Sequence, residues 1–158
     1  MNVNEETTFD VRIICELPAG DGVLMVHNLS RGKPGSDDFR PALWGLPGGG
    51  YSPKDGSHEA AALRELREET GLRPEGGGLV LVGRKDKSKN HTQFFFSVGG
   101  ADFSQETTLT TKGDPTRTVD RAEWVSYENL LWAFEHHGRD PEGRPYNMAH
   151  LEVIFSEE

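Results

Sequence analysis

Apolar residues in this chain fall into short runs separated by turns rich in glycine and proline, with two stretches of helical period set among them. The run from Phe9 to Leu17 includes Val11, Ile13, Ile14 and Cys15, and the PAGDG segment at 18–22 turns it toward a second run, Val23 to Val26. Two strands are predicted there. Three more are predicted at Leu79 to Gly83, Thr92 to Val98 and Val119 to Val125. The first of these is continuously apolar and the second holds Phe94-Phe95-Phe96, the pattern of strands covered on both faces.

The helical period is clearest from His58 to Thr70, where Ala62, Leu63, Leu66 and Thr70 share one face. The ends of this helix are marked by Ser57 as N-cap, Glu59 in the first turn, Gly71 as a left-handed stop and Pro74 as a block to continuation. A second helix is predicted from Tyr127 to His137, because Tyr127, Leu130, Leu131 and Phe134 stand at i, i+3, i+4 and i+7 behind Ser126. The apolar piece Met148 to Phe155 is too short to assign. Two long polar connections remain, Asn28 to Pro41 and Gly99 to Thr118. Connections of that length on a fixed scaffold commonly carry selectivity, so both are expected to border a binding pocket. Arg31 and Arg40 in the first are candidate contacts to an anionic substrate.

With 158 residues and 34% hydrophobic content, the chain suits a single domain spanning 1–158. No run of eighteen apolar residues exists, and the opening MNVNEETTFD has neither the basic nor the apolar segment of an export signal, so a cytoplasmic protein off the membrane is expected. The net charge of −9 argues against a polynucleotide partner, since binding to phosphate backbones calls for clustered Lys and Arg. A phosphorylated small molecule is compatible with that charge when divalent cations supply positive charge locally. The single cysteine, Cys15, sits in an apolar run and is expected to be a small buried hydrophobe. Core packing or solvation is likewise the expectation for Phe39, Trp44, Tyr51, Phe94, Trp132 and His91.

Glu65, Glu68 and Glu69 lie at i, i+3 and i+4, within an arc of about 100° on one helix face. Alone, an R-E-L-R-E-E string reads as a solvated acidic face relieved by Arg64 and Arg67. A glycine-rich turn before the helix and a glycine stop after it change that reading. Clustered hard oxygens suit Mg²⁺ or Mn²⁺, which bind through a few carboxylates and leave positions for water and phosphate.

The stretch Leu43 to Leu72, LWGLPGGGYSPKDGSHEAAALRELREETGL, resembles the Nudix box and its lead-in, G-x5-E-x7-R-E-U-x-E-E-x-G-U with U a bulky aliphatic. Arg64, Glu65, Leu66, Glu68, Glu69, Gly71 and Leu72 match its second half throughout. The first half departs from the pattern. Counting back from Arg64 puts Gly56 where the first Glu belongs, whereas counting forward from the lead-in gives Gly49 and Asp55, as if one residue were inserted.

The resemblance implies an α/β fold, an α/β/α sandwich with a mixed β-sheet between helices. It implies divalent-metal-dependent hydrolysis of a phosphoanhydride bond in a nucleoside diphosphate linked to another group, by a monomer or homodimer. Glu65, Glu68 and Glu69 would hold Mg²⁺ or Mn²⁺, the carbonyl of Gly49 or Gly50 would complete the shell, and Arg64 would brace the carboxylates. An acidic residue ahead of Trp124-Val125 is also implied, with Asp120 the candidate for catalysis and Glu123 a candidate substrate contact. Two rival readings are a catalytically silent nucleotide sensor, expected to have lost box carboxylates, and an isopentenyl diphosphate isomerase, which would need Cys15 in its pocket.

Overall fold

The computed structural model describes residues 7–17, 20–74, 79–98 and 108–156. Its strands are β1 (Thr8–Cys15), β2 (Gly22–Asn28), β3 (Leu43–Gly45), β4 (Gly48–Gly50), β5 (Val80–Ser88), β6 (His91–Val98) and β7 (Val119–Ser126). The helices are α1 (His58–Thr70), α2 (Tyr127–Glu135) and α3 (Met148–Ile154), with a single 3₁₀ turn at Pro53–Asp55. The expected mixed sheet is four-stranded, in the order β4-β1-β6-β5, with β1 parallel to β6 from Thr8–His91 to Cys15–Val98. Beside it stands a second sheet, antiparallel, in the order β3-β2-β7. Leu46 and Pro47 form the corner between β3 and β4, so the chain steps from one sheet to the other just before the glycine run.

Alternation along the strands divides the core in two. Val11, Ile13 and Cys15 of β1, Leu24 of β2 and Phe96 and Val98 of β6 pack with Ala61, Ala62 and Leu66 of α1. The intervening Ile14, Val23, Met25 and Phe95 point the other way and pack with Leu130 and Ala133 of α2 and Leu151 of α3. Strands covered on both faces need apolar residues on both, which is what the three consecutive phenylalanines supply.

Helix α1 begins and ends at the predicted residues because its caps are local: Ser57 Oγ accepts from the Ala60 N–H at 3.0 Å, and Gly71 (φ 81°) donates to the Arg67 carbonyl. Elsewhere the chain differs from expectation. Strand β5 continues to Ser88 rather than Gly83, since pairing with β6 carries the polar residues Arg84 to Ser88 as a solvated edge strand. Helix α2 stops at Glu135, and His137 (φ 59°) and Gly138 (φ 86°) turn the chain back. The piece left unassigned forms α3, its first turn capped by the Asn147 side chain. Of the 99–118 connection, residues 99–107 lie outside the described residues.

The segment leading into α3 is tied down at Trp44, which donates to the Pro145 carbonyl at 2.9 Å and accepts from Asn147 N–H at 2.8 Å. Asp140 organises this segment, accepting from the N–H of Glu142 and Arg144, from Arg144 Nε and from the Tyr146 hydroxyl. Burial alone would raise its pKa, but the Arg144 and Tyr146 hydrogen bonds outweigh it and hold the carboxyl below its ordinary value.

Candidate active site

Strand β4 is wedged between β1 and α1 so closely that its first two positions admit no side chain. A Cβ on Gly48 would collide with the Val11 carbonyl oxygen, and one on Gly49 with the Glu65 carboxylate. This approach lets the Gly48 N–H donate to Glu69 Oε1 at 3.0 Å. Glu69 is only 4% exposed, and burial pushes its pKa up to about 8 against the pull of the Gly48 hydrogen bond and the Arg12 charge. Glu65 is raised too, first by burial, with Arg64 opposing.

Arg64 is the brace of the site. It donates to Asp55 through Nε and Nη2, to Glu68 Oε1 through Nη1 at 3.1 Å and to the Gly50 carbonyl through Nη2 at 3.1 Å. Asp55, the acidic residue reached by counting forward from the lead-in, is thus a partner of Arg64. In the short Pro53–Asp55 turn, Ser52 N–H donates to Asp55 Oδ2 at 2.9 Å, and Gly56 (φ 85°) leads the chain into Ser57.

These groups form one end of a cavity of about 480 Å³. Of the residues proposed from sequence, Gly49, Gly50, Arg64, Glu65, Glu68 and Glu69 line it, and so do Arg31 and Arg40 from the long first connection. Those two arginines are directly opposed, each N–H donating to the other's carbonyl at 2.7–2.8 Å. Asp120 and Glu123 do not line this cavity. The pairing of β7 with β2 brings Asp120 against His27 at 2.6 Å, and Glu123 is bound to Arg144 at 2.9 Å.

Asp114 lies at the cavity instead. It is 7% exposed, with Oδ1 accepting from Thr116 and Oδ2 from the N–H of Thr118 and Val119. A D-x-T-x-T string is the signal that could have singled it out, since Asp readily caps the backbone that follows it. Arg12, Asn147 and His150 also line the cavity and were not singled out from sequence. As expected, Phe39, Trp44, Tyr51, Phe94 and Trp132 do not line it; Trp44 is buried in the core and Trp132 is stacked on His136. Cys15 is fully buried, its thiol pushed up to about 12 by burial and then by Glu16, so it offers the cavity no thiolate.

The family model of the NUDIX domain matches residues 7–146, which contain the glycine run, α1 and the opposed arginines. The chain belongs to the Nudix family. Two mouse proteins, diphosphoinositol polyphosphate phosphohydrolases 3-alpha and 3-beta, are each 24% identical over 114 residues, covering 72% of this chain and 62% of theirs. This chain thus spans under two thirds of the length of the curated relatives it matches. Among solved structures, the NUDIX domain of Shewanella oneidensis NrtR complexed with ADP ribose is similar at a TM-score of 0.66 and 18% identity, over 94% of this chain and 84% of that one. A NUDIX hydrolase from Nitrosomonas europaea is similar at 0.56 and 23%, over 94% and 88%. A MutT/nudix family protein from Enterococcus faecalis aligns at 0.59 and 18%, over 80% of this chain and 46% of that one. Likeness at these identities establishes the fold.

The donor set of this Nudix helix fits a hard divalent cation. Its candidate ligands are all oxygens, and the buried Glu69 carboxylate has the Gly48 N–H as its hydrogen-bond partner and no cation within ion-pair distance among the described residues. No three acidic, histidine or cysteine side chains already converge as a ready-made cage among the described residues. Glu68 is engaged by Arg64 instead.

Proposed function

We propose that this protein hydrolyses a phosphoanhydride bond in a nucleoside diphosphate linked to a further group, with Mg²⁺ or Mn²⁺ as cofactor. The observation that carries the reading is the buried Glu69 beside the half-buried Glu65, set against the β4 glycines in a cavity that also holds Arg31 and Arg40. Carboxylates kept from solvent are costly without a cation, and the cavity offers a place for one beside arginines suited to phosphate.

In this reading Glu65, Glu68 and Glu69 hold the metal, with the Gly49 or Gly50 carbonyl. The bound cation would supply charge neutralisation at the phosphate oxygens and a lower pKa for water. One of the three carboxylates accepts the proton of the attacking water, whose oxygen bonds to phosphorus as the bridging P–O bond breaks. The leaving oxygen keeps the electron pair, giving two phosphate-terminated products. Arg64 keeps Glu68 in place, while Arg31 and Arg40 take substrate oxyanions. The net charge of −9 and the lack of a membrane-crossing helix among the described residues support a small-molecule substrate handled in the cytoplasm.

The test is a panel of nucleotide sugars, dinucleoside polyphosphates, ADP-ribose, coenzyme A and nucleoside triphosphates, assayed with Mg²⁺, with Mn²⁺ and with EDTA. Metal-dependent release of phosphate-terminated products from at least one class is expected. Turnover that persists in EDTA would overturn the metal assignment, and no turnover of any member would overturn the hydrolase reading.

A further inference from the structure

The wall of the cavity formed by α3 contains a histidine whose hydrogen-bonding state the backbone decides. His150 Nδ1 lies 3.0 Å from the Leu46 N–H. A backbone N–H can only donate, so Nδ1 is the acceptor and the neutral ring carries its proton on Nε2. The ring is 2% exposed, and burial together with the charges of Arg12, Lys87 and Lys85 keeps its pKa well below the ordinary value, so it stays uncharged. It is also fixed in place. A Cβ on Gly45 would come within 2.7 Å of Nδ1, and Phe95 meets the ring edge-on at 5.8 Å.

That leaves one polar valence. No protein acceptor engages Nε2 among the described residues, and Nε2 is not among the side-chain atoms sealed from solvent without a partner. Because His150 lines the cavity, its Nε2–H opens there. Its neighbours in the lining include Arg12, Arg31 and Arg40, whose charge suits phosphate. With three arginines in the lining to take the phosphate oxygens, the neutral Nε2–H is left for an uncharged oxygen of the same ligand. The residue lies beyond the stretch matched by the family model, on α3.

We propose that His150 is a specificity-determining residue whose Nε2–H donates to an uncharged oxygen, a hydroxyl or carbonyl, of the group carried on the diphosphate. The proposal rests on the hydrolase reading above. A site built to hydrogen-bond a substrate group discriminates against analogues that lack it, because the buried donor is then left unpaired.

Two substitutions separate this role from the contact to Leu46. His150→Asn places an amide oxygen near the position of Nδ1, keeping an acceptor for the Leu46 N–H while removing the Nε2 donor. His150→Gln places an amide N–H near Nε2 and gives up the Nδ1 acceptor. Kinetics are read on the panel member with the lowest KM for the wild type, with inorganic pyrophosphate as a competing ligand that has no uncharged group. The Asn variant is expected to raise KM about 10-fold, the worth of one hydrogen bond, with kcat and the pyrophosphate Ki unchanged. The Gln variant is expected to hold KM within about threefold, well under one lost hydrogen bond, and to melt lower.

A folded Asn variant with wild-type KM, or one that weakens pyrophosphate equally, overturns the proposal. Should the Asn variant fail to fold, the Gln variant decides, and a 10-fold rise in its KM, a full hydrogen bond's worth, is the overturning result. A wild type that turns over no panel member instead overturns the hydrolase reading, and the substrate assignment of His150 with it.

Discussion

Asp55 grips Arg64 through two parallel hydrogen bonds, Nε to Oδ1 at 2.6 Å and Nη2 to Oδ2 at 3.0 Å. The remaining guanidinium nitrogen reaches Glu68, so the aspartate in the irregular half of the box acts on the regular half through one arginine. The Arg64 hydrogen bond is the main cause that holds the Asp55 pKa below its ordinary value.

Asp55→Ala is therefore expected to leave Glu65 and Glu69 in place but release Arg64. A loss of about 2 kcal/mol is expected from the charge-assisted bonds, or about 4–8 °C in Tm at this size, with a smaller loss of kcat than in Glu69→Gln. Because the folded pKa is depressed, this stabilisation is present above the ordinary aspartate range and lost as pH falls through the folded value. Thermal melts of wild type and variant should converge toward strongly acidic pH. A constant gap would place the effect outside the ion pair.

Glu69 shifts the other way. Its pKa of about 8 in the metal-free protein lies above the unfolded value, so its contribution is fully present below the unfolded value and is lost as pH rises through about 8. Glu69→Gln mimics the protonated acid. In EDTA the variant should gain thermal stability over wild type as pH rises from 6 to 9, while its turnover with Mg²⁺ falls by about 100-fold or more, as for loss of a transition-state contact. Equal melting shifts across that range would count against a buried titrating carboxylate.

Gly49→Ala tests the close approach of β4 to α1. The added methyl would meet the Glu65 carboxylate, so that side chain must move. The fold should survive at a cost of about 1–3 kcal/mol, as for overpacking, with a marked fall in kcat. Retention of wild-type kcat would show that the position of Glu65 is not needed for turnover.

Arg31 and Arg40 face each other across a two-stranded bridge, an arrangement in which like charges repel. An oxyanion between them would relieve that repulsion. Arg31→Ala and Arg40→Ala should each raise KM for the preferred substrate and change the ranking across the panel, leaving the metal requirement alone. Unchanged ranking and KM in both variants would move selectivity to the pocket walls.

Cys15 provides a control on the core. With its thiol pushed up to about 12 in a fully buried site, it should resist iodoacetamide at pH 8 in the native protein and react after denaturation. Rapid native alkylation would contradict its placement on β1 in the core shared with α1.

Local physics made part of this protein readable from sequence. The bounds of α1 are set by Ser57 and Gly71, side chain and backbone acting within one turn, and the spacing of Glu65, Glu68 and Glu69 puts them on one face wherever the helix lies. The three phenylalanines of β6 announced a strand covered on both faces for a similar reason. Partners distant in the chain decided the rest. Arg84 to Ser88 have no apolar pattern and became strand because β6 supplied the hydrogen bonds. Asp120 looked well placed before Trp124, but its pairing with His27, 93 residues away, left the buried Asp114 at the cavity. His150 had no motif at all. Its tautomer and access to the cavity depend on a backbone N–H 104 residues earlier, a contact that arises only after the sheets and helices have packed.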